Sequence, residues 1–497
     1  MKLIGGYNDH AREFPLHDYQ TRAVDFLLDR LTVLDEPGAG LFLDPGLGKT
    51  RITLTAIDLM FSMKVINRVL VLAPLRPLYT VWPVERRDWG FPQVTAVLHK
   101  QHEKALLRNR PIELMNFGSL KKISEIKDRW DLLVVDESTY LKTWTTNRMG
   151  YVKKLIKTIP KRIILTGTPA ANSLGDLFSQ MFIVDDGESL GNTITGFRKN
   201  FCEVDTQKSG RQYTKWKIKT HSKTKIFNSI KDKVLRMQAE DYLDMPDLVH
   251  NNLNVELSDA VMRQYRRFEK ELVAEIEQHQ QEHPEIVYAP NMASAYTKCR
   301  QLAAGPIYKI DADGRRQPKK GSIAGFEYAV AHQEKVKALE ELAEMLNGKP
   351  LLIAYNFTSE LAELLSSNYF KAAGVINGKV KPADVEKAIK LWNDDNLQFL
   401  ICQWRAASHG LNLQKGSCQD LAAMSLTDSP ETYEQWYRRV YRQGQRAKQV
   451  RVHRVIARGT VDEVQLARLN GKFATQAEFL NALKSHAKQH LRSKRTA

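Results

Sequence analysis

The chain has 497 residues, of which 43% are hydrophobic and 26% charged, so it is long enough for two or three domains that fold without disulfides or metals. Lys and Arg number 74 against 57 Asp and Glu, and the net charge of +17 favours a polyanionic partner over an ordinary basic surface. Four scattered cysteines indicate neither a zinc site nor a disulfide framework and predict buried, reduced thiols. No apolar stretch approaches the roughly 18 residues of a membrane span, so we expect a cytoplasmic protein with no membrane partner.

The first predicted element is a helix over residues 16–31, where apolar residues recur at helical spacing. Gln20 lies in its first turns. A glutamine amide can pair in bidentate fashion with the N6 and N7 edge of adenine, so Gln20 is a candidate adenine contact. The simpler alternative is a polar residue on a solvated helix face.

An apolar run ending at Leu43 leads into a glycine-rich loop and then a predicted helix over residues 51–63. Glycines let backbone N–H groups approach phosphate oxygens, a lysine supplies charge for the β- and γ-phosphates, and a threonine hydroxyl binds Mg²⁺. The strict phosphate-loop pattern has glycine in place of Leu43. The loop indicates a site for the phosphates of a nucleotide and Mg²⁺, and its candidate residues are Gly46, Leu47, Gly48, Lys49 and Thr50. Taken alone, such a turn is a chance loop about as often as a nucleotide site.

The apolar run 131–135 leads directly into two adjacent carboxylates, Asp136 and Glu137. At the end of a parallel strand such a pair suits a metal–nucleotide site, with Asp136 holding Mg²⁺ and Glu137 polarising the attacking water. An acidic pair also closes many ordinary strands. Together with the run 68–74, the alternation of strands and helices predicts βαβ units.

The next apolar run, 163–165, breaks into Thr166-Gly167-Thr168-Pro169. The hydroxyls of Thr166 and Thr168 could sense the γ-phosphate from one side and a nucleic-acid strand from the other. Taken alone, the same residues describe only a strand-ending turn.

Between residues 195 and 236, lysine and arginine are interleaved with aromatic residues, most clearly at Lys215, Trp216 and Lys217. Basic groups neutralise phosphates and aromatic rings pack on sugars or bases, which predicts a nucleic-acid surface. The alternation fits an ordinary exposed strand equally well. Both interpretations stay open.

A second strand–helix rhythm begins at the apolar run 351–355 and continues at 398–402, which predicts a second parallel sheet. Further along, Ser429 and Pro430 are expected to cap and begin a helix. On that helix Gln435, Arg439 and Arg442 fall at helical spacing, so we expect all three on one face. A solvent-facing helix could carry them for solubility alone.

In chain order these motifs resemble those of superfamily two helicases, and their continuations are similar to the Swi/Snf branch, especially its compact phage and bacterial members. The resemblance spans residues 16–472. Its motifs are Gln20, the loop 44–50, Ala73-Pro74, Asp136-Glu137, 165–169, the segment 177–187, 408–414 and 435–445. This chain departs from the branch at Ser138-Thr139, where most members have Ala-His.

The resemblance implies an α/β fold with two RecA-like parallel-sheet lobes of the P-loop NTPase type and helical insertions between them. Lobe one is expected over residues 1–190, a basic helical insertion and linker over 191–330, and lobe two over 331–475. Residues 476–497 form a basic C-terminal helix or tail that contacts nucleic acid or frays.

By the same resemblance Arg442 is the arginine finger, Arg439 its companion on the phosphates, and Gln435 a further nucleotide contact. His409 and Asn412 are implied to contact nucleic acid. The implied activity is that of an ATP- and Mg²⁺-dependent DNA helicase or translocase that works as a monomer on duplex DNA. Two alternatives stay open: an ATP-switched nucleic-acid clamp that does not move, and an RNA helicase. Nothing in the sequence indicates a recruiting protein.

Overall fold

Apolar runs that alternate with helices form two parallel sheets, one in each of the two units into which the chain divides. The first unit comprises residues 1–207 and 214–244, and the second comprises 208–213 and 245–497. The computed structural model describes residues 15–75, 77–91, 95–97, 110–126, 128–167, 169–170, 174–204, 216–243, 245–282, 290–311, 316–319, 321–407, 411–442, 444–473 and 476–492.

The first unit is built on a parallel sheet whose central strands are buried on both faces, as their uninterrupted apolar runs predict. Its strands are β1 (Gly38–Leu43), β2 (Val69–Ala73), β3 (Thr95–Val97), β4 (Ile112–Asn116), β5 (Leu132–Asp136), β6 (Lys161–Thr166), β7 (Cys202–Val204), β8 (Trp216–Ile218) and β9 (Val234–Met237). Seven of them pair in the order β3-β4-β2-β5-β6-β1-β9, while β7 and β8 form a separate antiparallel hairpin. Strands β1, β5 and β6 therefore end at the same edge of the sheet.

Helices connect these strands. In the first unit they are α1 (Asp18–Leu28), α2 (Lys49–Ser62), α3 (Pro77–Thr80), α4 (Trp82–Asp88), α5 (Leu120–Ile123), α6 (Asn147–Leu155), α7 (Leu177–Asp185), α8 (Ile194–Phe201) and α9 (Ser222–Ile230). The predicted helix over 16–31 is confirmed as α1, which continues as a π-helical turn through Val33. The predicted helix over 51–63 is confirmed as α2.

The second unit repeats the parallel-sheet pattern. Its strands are β10 (Asp247–Val255), β11 (Pro306–Tyr308), β12 (Tyr328–Val330), β13 (Leu351–Tyr355), β14 (Gly374–Ile376), β15 (Phe399–Gln403), β16 (Asp420–Ala423) and β17 (Gln449–Ala457). Six of them pair in parallel in the order β10-β17-β16-β13-β15-β14, and β11 pairs with β12 in a hairpin. The predicted α/β fold with two RecA-like parallel-sheet lobes is confirmed.

The helices of the second unit are α10 (Asp259–Glu282), α11 (Pro290–Ala304), α12 (Glu334–Met345), α13 (Thr358–Ser366), α14 (Pro382–Asn393), α15 (Trp404–Ala407), α16 (Pro430–Tyr437), α17 (Val461–Leu469) and α18 (Gln476–Arg492). Helix α10 buries Tyr265, Leu272 and Ile276 in the core of this unit, as their spacing on one face predicts. Helix α16 begins as expected, because the Ser429 side chain accepts a hydrogen bond from the backbone N–H of Thr432.

The division into two units falls inside the expected insertion 191–330, and the domain boundaries at 190 and 330 remain a prediction. Within the expected insertion 191–330, strand β9 pairs with β1 in the first sheet, and β10 pairs along its whole length with β17 in the second. Strands β9 and β10, both of mixed composition, are thus the outermost strands of the first and second sheets. The boundary between the units falls at residue 244, and long-range strand pairing of this kind leaves no local signal in the sequence.

The expected C-terminal tail is a helix that packs. In α18, Phe479, Leu483 and Ala487 are buried in the second unit, whereas residues 493–497 of the expected tail lie outside the described residues. His486 also fastens this helix: its Nε2 lies 2.9 Å from Glu463 Oε2, and its Nδ1 lies 3.8 Å from Glu269 Oε1. Burial lowers the pKa of His486, but hydrogen bonds to Glu269 and Glu463 outweigh burial and raise it to about 9.

Two further expectations concerned the cysteines and membrane-spanning segments. All four cysteines are free and buried, as predicted. No helix within the described ranges is long and apolar enough to cross a lipid bilayer.

Candidate nucleotide-binding site

The glycine-rich loop joins β1 to α2 at the edge of the sheet where β5 and β6 also end. Gly46 and Gly48 adopt left-handed backbone conformations with φ of 101° and 77°. At Gly48 a Cβ atom would also lie 2.5 Å from Gln20 Nε2, so no side chain fits there. The loop leads directly into the N-terminus of α2. The first backbone N–H groups of a helix have no partner within it and favour binding of an anion there.

Lys49 is the first residue of α2, and its ammonium group turns back towards the start of the loop. Nζ donates hydrogen bonds to the backbone carbonyls of Leu43 at 2.5 Å and Asp44 at 3.3 Å. The charge is therefore held above the concave side of the loop. Thr50 follows, half-buried, in the first turn of α2.

Gln20 contacts this loop directly. It is 4% exposed; its Nε2 donates to the carbonyl of Leu47 at 3.3 Å, and its Oε1 accepts from the N–H of His17 at 3.2 Å. The amide thus braces α1 against the loop, and the alternative of a solvated polar residue is wrong. Contact with adenine remains a prediction.

Asp136 ends β5 and is 9% exposed. Its Oδ2 accepts a hydrogen bond from the indole N–H of Trp82, at 3.0 Å, and Trp82 is itself fully buried at the start of α4. Burial raises the pKa of Asp136, whereas the indole donor and the positive charge of Lys49 lower it. One carboxylate oxygen is therefore fixed by a neutral donor, and the carboxylate lies within the field of Lys49.

Glu137 adopts a left-handed backbone conformation, with φ of 57° and ψ of 61°. Few residues other than glycine adopt this conformation without support from their surroundings. Here it turns the chain sharply from the end of β5 into the 3₁₀ turn Ser138–Leu141, where the N–H of Tyr140 donates to the carbonyl of Glu137. The turn brings the Glu137 side chain, which is half-buried, to the edge of the sheet beside Asp136.

The donor set fits a magnesium nucleotide better than a metal held by protein alone. Over the described ranges no group of three or more His, Cys, Asp or Glu side chains could hold a metal ion. Mg²⁺ needs few protein ligands when phosphate oxygens and water complete its octahedron. Asp136 and Thr50 are the residues that would hold it, with Lys49 and the loop N–H groups on the phosphates.

The predicted nucleic-acid residues of the first unit have different environments. Thr166 is 0% exposed at the end of β6, so its hydroxyl faces the protein interior in this conformation. Trp216 is 39% exposed in β8, and Lys217 pairs with Glu203 across the hairpin at 3.3 Å. The predicted exposed strand is confirmed, and contact with nucleic acid remains a prediction. Thr168 and Lys215 lie outside the described residues.

In the second unit the structure corrects the predicted helix through residues 435–445. Helix α16 ends at Tyr437, because Arg438 has a ψ of −2° and the N–H groups of Arg439 and Val440 bond to carbonyls three residues back. Arg439 and Arg442 therefore lie in turns, and helical spacing does not place them on one face with Gln435. Gln435 is buried on α16 and donates to Glu431 Oε1.

Arg442 is instead oriented by a residue predicted to contact nucleic acid. Its Nη1 donates to Asn412 Oδ1 at 2.9 Å, and the backbone carbonyl of Asn412 accepts from Asn393 Nδ2 at 2.9 Å. Asn412 thereby ties the loop after β15 to the turn that carries Arg442. His409 lies outside the described residues.

Sequence reasoning missed two residues of the first unit. Trp82 is 54 positions from Asp136, and Gln180, whose side chain binds Ser138, is 42 positions from it. Each lies on a helix with apolar neighbours, so helical periodicity marks it only as a core position. The polar Gln180 within the apolar run 177–184 was the one available signal.

Comparison with known proteins matches two sequence patterns, one after the other along the chain. The sequence pattern of the SNF2-related domain matches residues 19–303, more than half of the chain. The pattern of the helicase conserved C-terminal domain matches residues 334–444.

Several relatives match over most of this chain. Protein p41 of Acyrthosiphon pisum secondary endosymbiont phage 1 is 30% identical over 91% of this chain and 96% of its own length. Chromatin structure-remodeling complex subunit snf21 of Schizosaccharomyces pombe is 24% identical over 97% of this chain, and DNA annealing helicase and endonuclease ZRANB3 of Mus musculus is 23% identical over 88%. The chain spans 40% and 39% of the lengths of these two proteins.

Among solved structures, a Sulfolobus solfataricus SWI2/SNF2 ATPase core in complex with dsDNA is similar. It is 21% identical, with 98% of this chain and 96% of that chain covered, and the TM-score is 0.44.

Proposed function

Because the chain belongs to the SNF2-related family of helicase-like ATPases, we propose that it hydrolyses ATP in response to DNA and uses the energy to move along duplex DNA. The observation that supports ATP chemistry most strongly is a single arrangement in the first unit. A glycine loop, a lysine at a helix N-terminus and a buried aspartate at the end of β5 lie at one edge of the sheet.

The residues of this site have different proposed roles in hydrolysis. Gly46, Gly48 and the N-terminus of α2 bind phosphate oxygens through backbone N–H groups, and Lys49 neutralises their charge. Glu137 orients the attacking water. When bound beside Asp136 and Thr50, Mg²⁺ neutralises charge on the phosphates.

Two arginines of the second unit are proposed to act on the developing charge of the transition state. Arginine fingers contribute roughly 10³ to 10⁵ in rate. Arg442 fits this role because Asn412 holds its guanidinium group, and Arg439 is proposed as its companion on the phosphates.

DNA as the partner rests on charge and on relatives. A net charge of +17 favours a polyanion, and two relatives are a DNA annealing helicase and a subunit of a chromatin-remodelling complex. Trp216 and Lys217 on the exposed hairpin, with Lys215, Thr166, Thr168, His409 and Asn412, are the proposed contacts. A cytoplasmic location and a monomeric state belong to the same proposal.

The test is the rate of ATP hydrolysis with duplex DNA, single-stranded DNA and RNA side by side. The proposal expects the highest rate with duplex DNA, and no activity from Lys49→Ala with any of them. Stimulation by RNA alone would replace the proposal with an RNA helicase. Equal rates with and without every nucleic acid would refute it.

An ATP-switched clamp is the second candidate, because the phosphate loop and Asp136 would look the same in a protein that closes on DNA without moving. A clamp leaves a third strand bound to duplex DNA in place, whereas a translocase strips it off. Triplex displacement therefore separates the two.

A further inference from the structure

Gln180, in the first turns of α7, connects two loops at the edge of the first sheet. Its Oε1 accepts a hydrogen bond from Ser138 Oγ at 2.6 Å. Its Nε2 donates to the backbone carbonyls of Pro169 at 2.6 Å and Asp176 at 2.9 Å. Ser138 and Gln180 are both 0% exposed, so the bond between their side chains forms without competition from water.

The two ends of this bridge belong to two different motifs. Ser138 directly follows the Asp136–Glu137 pair. Pro169 follows the Thr166–Thr168 segment that is predicted to face nucleic acid. Strands β5 and β6 are neighbours in the sheet, but ladder hydrogen bonds join them only up to Asp136 and Leu165. Beyond that point Gln180 bonds to both loops.

A buried amide makes such a connection stiff. Gln180 sits among the buried apolar residues Leu177, Phe178, Met181 and Val184, so a polar group there is tolerated only while its donors and acceptor are satisfied. If one loop moved without the other, Ser138 Oγ or the Gln180 amide would be left buried without its partner. The favourable motion is one in which both loops shift together.

Pro169 and Ala170 also line a cavity of about 610 Å³ whose other walls include Phe42, Phe227 and Val234. Among the described residues, that side of the loop faces the cavity.

We propose that the Ser138–Gln180–Pro169 bridge couples the state of the nucleotide site to nucleic-acid binding by the loop after β6. The inference rests on the proposed function and names the residue that makes hydrolysis respond to DNA. Gln180 is a positioning residue that acts through Ser138 and the Pro169 carbonyl. The bridge also gives a role to Ser138, which stands where most members of the Swi/Snf branch have alanine.

The double variant Ser138→Ala/Gln180→Met tests the bridge. The variant removes the buried Ser138–Gln180 pair as a unit, while the carbonyls of Pro169 and Asp176, which are partly exposed residues, lose one donor each. Thermal unfolding of the variant is measured alongside, so that folding and coupling can be separated. Two quantities are measured: ATP hydrolysis with and without duplex DNA, and duplex affinity with and without a non-hydrolysable ATP analogue. Because coupling is reciprocal, both should respond.

We expect hydrolysis without DNA to stay within about twofold of the wild type, while stimulation by DNA falls about tenfold, within the range of energetic coupling between two sites. The effect of the ATP analogue on DNA affinity should fall by the same factor. Gln301→Met is the matched control, since Gln301 is a buried amide of the second unit that accepts from the N–H of Tyr308. It should retain full stimulation.

Wild-type stimulation in the double variant, with an unchanged effect of the ATP analogue on DNA affinity, would overturn the bridge while leaving the proposed function intact. Equal loss of stimulation in Gln301→Met would also overturn it, because any buried amide would then matter as much. If wild-type hydrolysis ignored DNA, both the proposed function and the bridge would be refuted. Should the double variant unfold, Ser138→Ala alone removes only the 2.6 Å bond and is judged by the same measurements.

Discussion

Trp82→Phe removes one hydrogen-bond donor from the candidate metal site and keeps an aromatic ring in the core. The lost bond runs from the indole N–H to Asp136 Oδ2 at 3.0 Å, between two buried groups. The bond is present without metal, so the affinity for Mg²⁺ loses only what the indole contributes by orienting the Asp136 carboxylate. Loss of such a partner of a metal ligand typically costs about 10- to 100-fold, and we expect the affinity for Mg²⁺ in the presence of nucleotide to fall by that factor.

The assay is a titration of MgCl₂ against a fluorescent ATP analogue, with the half-saturating Mg²⁺ concentration as the readout. It measures binding and so does not depend on DNA. Trp392→Phe is the matched control, because Trp392 is also fully buried and its indole N–H donates to the Leu413 carbonyl at 3.1 Å, in the second unit. Both variants should lose some thermal stability, and only Trp82→Phe should need more Mg²⁺.

Equal Mg²⁺ requirements in the two variants and the wild type would refute the reasoning. The indole of Trp82 would then be a core side chain whose contact with Asp136 has no bearing on the metal. A raised requirement in Trp392→Phe as well would point to general loosening of the fold.

Three further predictions concern other parts of the chain. Because the folded-state pKa of His486 is raised to about 9, its contribution of roughly 3 kcal/mol is fully present below about pH 6.5 and is lost as the pH rises to about 9. Urea unfolding should show this loss in the wild type and not in His486→Gln; parallel pH profiles would contradict it. Arg442→Ala should lower turnover at least about 10³-fold while a fluorescent ATP analogue still binds. The control Arg438→Ala, which breaks a helix ion pair with Glu434, should keep turnover. Equal turnover in both variants would argue against Arg442 as the arginine finger. DNA affinity should fall as salt rises, with a log–log slope of about −0.9 for each phosphate contacted, and a flat salt dependence would contradict phosphate recognition by basic residues.

Local features of the chain were predictable because neighbouring residues determine them. The apolar run before Asp136 forms a buried strand, Ser429 caps its helix, and Gly48 lies where no side chain fits. In each case the signal and the structure it specifies lie within a few residues. The same holds for the strand–helix alternation that predicted two parallel sheets.

Contacts between distant residues could not be predicted in this way. The end of α16 at Tyr437 depends on turn bonds that form in place of further helical ones, although the spacing of Arg439 and Arg442 fits a longer helix. The bonds from Trp82 to Asp136 and from Gln180 to Ser138 join elements that only the fold brings together. The proposed roles of Trp82 and Gln180 therefore rest on contacts that the sequence did not indicate.

The central claim is that ATP hydrolysis drives movement along duplex DNA, and triplex displacement tests it most directly. A third strand is bound to one end of a duplex, and its release is followed with ATP, with a non-hydrolysable ATP analogue, and with Lys49→Ala. The account predicts release only for the wild type with ATP, after a delay that grows with the length of duplex ahead of the triplex. Stimulated ATP hydrolysis without release of the third strand would contradict it.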